Sequence, residues 1–147
     1  MRTAGTNLTV TTGAGTTVIG AYIGIGGRNF GTGALTITAN GDVTATGAGS
    51  SGISVTNYGT NLSVTVGAGA TVSGSADGIN ANNLGTGALA ITVAATGTVS
   101  GTSGFGIRAL GRPATVTVAA APGRSPAATP ASPRFRSAAA RCLSTAA

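Results

Sequence analysis

The chain of 147 residues contains no histidine, glutamate, lysine or tryptophan, and Asp42 and Asp77 are its only acidic side chains. Without an imidazole or a closely spaced pair of acids, the usual groups for proton transfer and nucleophile activation are missing, so no enzyme is expected. Cys142 stands alone, which excludes a disulfide framework and offers no ligand spacing. Asp does not recur at a fixed interval, as the calcium-binding glycine-aspartate repeats require. Neither a metal nor any other cofactor is therefore expected. Aromatics make up 3% of the residues, too few for a base-stacking surface. No apolar run reaches the length of a membrane-spanning helix, so no direct membrane insertion is expected. The opening MRTAGTNLTV lacks the apolar core of a secretory leader.

Charge is scarce and unevenly placed. The net charge is +6, but up to Val118 four arginines (Arg2, Arg28, Arg108, Arg112) face the two aspartates. The other four (Arg124, Arg134, Arg136, Arg141) lie after Val118 with no acid among them. The basicity thus belongs mainly to the C-terminal segment, and no nucleic-acid partner is expected.

What the chain does have is a repeat. Leu8, Leu35, Leu62, Leu89 and Val116 are each 27 residues apart, as are Val10, Ile37, Val64, Ile91 and Val118. The openings alternate between GTN (residues 5–7 and 59–61) and GTGAL (31–35 and 85–89), which suggests duplication of a pair of units. Each unit holds three short stretches of period-two alternation, the signature of strands. The first is LTVT, LTIT, LSVT or LAIT. The second is centred on Val18, Val43, Val72 and Val99, and the third carries Ile25, Ile53, Ile79 and Ile107. Glycines recur between them at corners, among them Gly13-Ala14-Gly15, Asn29-Phe30-Gly31 and Asn57-Tyr58-Gly59, with Ala109-Leu110-Gly111 as a variant of the last kind. With no helix following it, the string Gly24-Ile25-Gly26-Gly27 reads as a corner rather than a phosphate loop.

Helices are disfavoured, because each interior glycine costs about 1 kcal/mol and no 3.6-residue apolar stripe exists. Hairpins would reverse alternate strands and leave the constant spacing without a cause. Parallel stacking explains it directly. The expected fold is an all-β, right-handed parallel β-helix (β-solenoid) of about 27 residues per coil, four to five coils and three short strands per coil. The inward ladders would be the two aliphatic series above, the four valines and the four isoleucines.

Residues 1–118 form the expected solenoid region. From Ala119 the composition turns to Ala, Pro, Arg and Ser, with four of the chain's five prolines, so 119–147 reads as a disordered tail. Arginine without lysine, and a break in mid-coil, point further to a shifted reading frame in a GC-rich gene.

One outward feature repeats with the coil. Thr9, Thr11, Thr36, Thr38, Ser63, Thr65 and Thr92 would stack into two hydroxyl columns, ~4.8 Å apart between coils and ~7 Å along the strand. They form the candidate binding face. Ice-binding solenoids resemble this arrangement, although Thr is also an ordinary outward strand residue.

The GTGALTIT, GxVTxTG, GI and N(F/Y)G phrases of residues 5–118 resemble the repeats in passenger regions of bacterial autotransporters. The resemblance implies a β-helix displayed on the outer side of the bacterial outer membrane, within an adhesin-like surface protein. It implies a stalk or spacer role there, with glycans, a host surface or identical neighbours as partners through a flat face or open coil ends. Signal peptide and translocator barrel, the family's export parts, are not found in these 147 residues. If the frame has shifted, one of the other two DNA frames downstream of the Val118 codon should resume a GTGxLTIT-like coil, which sequencing of the gene checks.

Overall fold

The computed structural model describes residues 1–3, 5–119 and 140–142, and among them every regular element is a β-strand. A short β1 (Arg2–Thr3) precedes the first coil of β2 (Leu8–Thr12), β3 (Thr17–Gly20) and β4 (Ile23–Asn29). The second coil is β5 (Leu35–Ala39), β6 (Asp42–Ala45) and β7 (Ser51–Asn57). The third is β8 (Leu62–Val66), β9 (Thr71–Gly74) and β10 (Asp77–Asn83), and the fourth β11 (Leu89–Val93), β12 (Thr98–Gly101) and β13 (Ile107–Leu110). Then follow β14 (Ala114–Val118) and β15 (Ala140–Cys142).

The strands assemble into three parallel sheets, each taking one strand per coil. The first face runs β2-β5-β8-β11-β14-β15, the second β3-β6-β9-β12 and the third β1-β4-β7-β10-β13. The chain is a β-solenoid of about four turns, as the repeat requires. Within each strand, alternate side chains point inward, so a 27-residue step returns an aliphatic residue to the same wall. Leu8 pairs with Leu35, Leu35 with Leu62 and Leu62 with Leu89. Val18, Val43, Val72 and Val99 form the second wall in register. Ile25, Ile53, Ile79 and Ile107 form the third. In the middle coils Leu35, Ile37, Val43, Ile53, Leu62, Val64, Val72 and Ile79 are each 0% exposed. Burial of each such side chain contributes about 1.5–3 kcal/mol.

The fifth coil corrects the expected register. Leu89 stands against Ala114, Ile91 against Val116 and Val93 against Val118, so the step here is two residues shorter than 27. Val116 therefore continues the Val10/Ile37 ladder, not the Leu8/Leu35 ladder, and Ala114 takes the leucine position. The cause lies in the corner before β14: three residues separate Leu110 from Ala114, where six separate its register partner Asn82 from Leu89, a loss only partly offset by the 28-residue step from Ile79 to Ile107. A slip of two residues preserves which side chains face inward, whereas a slip of one would have turned them out. One extra residue in the corner between β12 and β13 places Leu110 over Asn82, so that Gly111, not Ala109, follows in the position of Asn83.

Of the C-terminal segment, most residues lie outside those described. Ala140–Cys142 pairs parallel with Ala114–Val116, so these three residues extend the first face beyond Val118, where the stack was expected to end.

Corners are held by buried polar ladders. Asn29 Nδ2 donates to Asn57 Oδ1 at 3.0 Å, and Asn57 Nδ2 to Asn83 Oδ1 at 3.1 Å. The same amides reach the corner carbonyls of Gly33, Thr60 and Gly87, while Gly59 N–H donates to Asn57 Oδ1. Among the described residues no buried side-chain N or O lacks a partner. Stacked glycines let these corners close up: a Cβ on Gly59 would overlap the Gly33 carbonyl oxygen, and one on Gly85 the Gly59 carbonyl oxygen. Outside the corner, Phe30 and Tyr58 stack with ring centroids 5.2 Å apart.

Removing a rung from this ladder strands its neighbours' buried groups, each costing about 1–3 kcal/mol. Asn57→Ala is expected to lower stability by about 2–4 kcal/mol, while Asn61→Ala, an exposed residue accepting one bond from Ala88 N–H, costs about 1 kcal/mol. Urea midpoints of the two variants check the difference.

Candidate functional site

The first face brings together all seven residues expected on it. Backbone pairing sets Thr9 beside Thr36, Thr36 beside Ser63 and Ser63 beside Ala90. A second column runs Thr11, Thr38, Thr65, Thr92. The shortened fifth coil adds two residues that the 27-residue count had missed: Thr115 stands beside Ala90, and Thr117 beside Thr92. The signal was present as the string Thr-Val-Thr at 115–117, which matches Thr-Val-Thr at 9–11 better than the aliphatic count does. Each column is therefore five positions long, with Ser63 and Ala90 the two that are not threonine.

Strand geometry makes this array flat. Neighbouring coils lie about 4.8 Å apart and outward positions about 7 Å apart along a strand. Thr36, Thr38, Ser63 and Thr65 in the middle coils are half-buried by their neighbours, while Thr9, Thr11 and Thr92 are exposed. Among the described side chains the columns carry no charge, and their hydroxyls make no hydrogen bond within the chain. The second face differs on that point. There Ser73 Oγ donates to Thr44 Oγ1 at 3.2 Å, and Thr98 Oγ1 to Thr71 Oγ1 at 3.1 Å. Hydroxyls of the first face are thus left to solvent.

The chain's two aspartates lie elsewhere. Asp42 opens β6 and accepts from Thr71 N–H at 2.8 Å; Asp77 opens β10, is buried, and accepts from Phe105 N–H at 3.0 Å. Each carboxylate is engaged by backbone of the next coil, and they stand on different faces. Among the described residues no three His, Cys, Asp or Glu side chains come together as a metal site. No described helix is long and apolar enough to cross a membrane. The surface includes two shallow hollows among the described residues. One of about 230 Å³ lies where Gly26 leaves a gap beside Met1, Arg28 and Ser54 on the third face. The other, of about 180 Å³, lies at the corner of Gly15, Asn40 and Asp42.

Corners joining the strands of the first four coils are two to five residues long, so no loop stands away from the rod among the described coils. Compared with protein-family models, with curated proteins and with solved structures, the chain finds no match.

Ala90→Thr would complete the first column at an exposed position. Threonine is favoured over alanine at an outward strand position, by up to about 1 kcal/mol. The variant is expected to be more stable than the parent by that amount, which thermal unfolding checks.

Proposed function

We propose that this chain is a non-catalytic spacer, a stalk segment of a surface-displayed, adhesin-like passenger protein. The observation that carries the reading is the evenness of the coils. Four successive layers repeat with short corners and in-register walls, and binding loops on solenoids are usually insertions at corners. A rod so built adds length with each coil and changes little else. Its outer faces are rich in Thr, Ser, Asn and Gly, a composition suited to hydration and to weak contacts with glycans or with identical neighbours. The resemblance of the phrases in residues 5–118 to autotransporter passengers supports a location on the outer side of a bacterial outer membrane.

A second reading is favoured by one observation, the extension of the threonine columns by Thr115 and Thr117. Two regular columns of unpaired hydroxyls on a flat face suit ice binding. Thermal hysteresis of the purified chain separates the two readings. The spacer reading expects none, whereas hysteresis lost in Thr65→Lys would establish the alternative.

Two measurements test the spacer itself. Duplicating residues 35–88, two coils, should lengthen the particle by about 10 Å at constant cross-section in small-angle scattering. Antibody against the coils should label intact cells of the source organism. Labelling seen only after permeabilisation would overturn surface display.

A further inference from the structure

The alternation of coil openings, GTN then GTGAL, has a counterpart in the stack. Asn7, Ala34, Asn61 and Ala88 each precede a leucine of the inward ladder and so stand in line, one per coil. Ala34 N–H donates to Asn7 Oδ1 at 2.9 Å, and Ala88 N–H to Asn61 Oδ1 at 2.9 Å. Glycine makes room for both amides: a Cβ on Gly33 would overlap Asn7 Oδ1, and one on Gly87 would overlap Asn61 Oδ1. Because the backbone N–H is a donor, the amide atom that faces it is the oxygen. Nδ2 is the atom turned away, and among the described residues neither Nδ2 takes part in a hydrogen bond.

Two properties set this pair apart from the chain's other six asparagines. The first is exposure. Asn29, Asn57 and Asn83 are buried, and Asn40, Asn80 and Asn82 are half-buried; only Asn7 and Asn61 are exposed. Asn61 lies in the third coil, whose β8 has β5 on one side and β11 on the other, so its exposure owes nothing to an end of the rod. The second property is the residue two places on, a hydroxyl only in Asn7-Leu8-Thr9 and Asn61-Leu62-Ser63. Leu62 is 0% exposed between exposed Asn61 and half-buried Ser63, so amide and hydroxyl lie together on the outer side of the wall. Asn-x-Ser/Thr, with x other than proline, is the acceptor pattern for asparagine-linked sugar.

We propose that Asn7 and Asn61 are acceptor sites for asparagine-linked glycosylation, the sugar being supplied as a glycosyl diphosphate and transferred by a separate enzyme. Nδ2 attacks the anomeric carbon and a C–N bond forms. The bond from that carbon to the diphosphate oxygen breaks, the diphosphate leaves with the electron pair, and Nδ2 gives up one proton. The product amide keeps Oδ1, so the bonds from Ala34 N–H and Ala88 N–H survive and hold the linkage against the rod. At Asn57 the same reaction would take Nδ2 away from Thr60 O, Asn61 O and Asn83 Oδ1. The two acceptors are two coils, about 10 Å, apart, with Ala34 between them, so each sugar has a bare coil beside it. The inference goes beyond the spacer reading and stands apart from it: a rod without sugar is still a spacer, and a glycosylated rod need not be one.

The chain isolated from its source organism is digested with a non-specific protease and analysed by mass spectrometry with electron-transfer fragmentation, which leaves a sugar on its residue. Sugar is expected on Asn7 and Asn61 and on no other asparagine. In Ser63→Ala, produced in the same organism, Asn61 should lose its sugar while Asn7 keeps it, and Thr9→Val should do the reverse. Both variants retain the asparagine and its Oδ1 contact, so circular dichroism should be unchanged. Either asparagine bare in the source protein, sugar retained at Asn61 in Ser63→Ala or at Asn7 in Thr9→Val, or sugar on Asn40 would each overturn the proposal.

Discussion

In-register parallel pairing between one coil and the next is the constraint on which this molecule depends. It makes each side chain's neighbour its own counterpart one turn away. The sequence can then meet every packing requirement by repeating one residue type: Leu over Leu at 8, 35, 62 and 89, Val over Val at 18, 43, 72 and 99. It also converts polar residues, which singly would be costly to bury, into ladders. Asn29, Asn57 and Asn83 are buried because each supplies the donor or acceptor that the next one lacks. Ser50 and Ser75 do the same at another corner, with Ser50 Oγ 3.2 Å from Ser75 Oγ and Ser103 Oγ donating to Ser75 O.

The same constraint accounts for the scarcity of charged residues in the coils. A charge repeated once per coil would sit about 4.8 Å from its copy, and like charges directly opposite in a sheet are destabilising. Asp42 stands beside Thr17 and Val43 beside Val72, so neither aspartate meets another. Threonine, serine and asparagine can be stacked without that penalty. The hydroxyl columns of the first face therefore follow from the architecture as well as from any use the face is put to.

Much of this could be read from the residues. The three walls, the parallel sense and the identity of the outward threonines all follow from period-two alternation combined with the 27-residue return. The fifth coil could not be placed that way. Val116 and Val118 satisfy the count, but the count assumes constant corners, and the step from Leu89 to Ala114 is shorter by two residues. Alternation is blind to an even slip, since inward residues stay inward. The asparagine ladder was visible as Asn-Phe-Gly and Asn-Tyr-Gly corners, yet nothing in one unit tells whether the amide turns in or out. That depends on the neighbouring carbonyls, which only stacking supplies. The pairing of Ala140–Cys142 with β14 follows no residue pattern of the earlier coils.

The variable corners carry a consequence for how such a protein can change. Between Ala45 and Ser51 the chain spends five residues, and between Gly74 and Asp77 only two, yet both leave the walls undisturbed. Material inserted at a vertex is invisible to the prism inside. A lineage of such rods could therefore acquire a recognition loop at any vertex in one step, without renegotiating the interior, and lose it as easily.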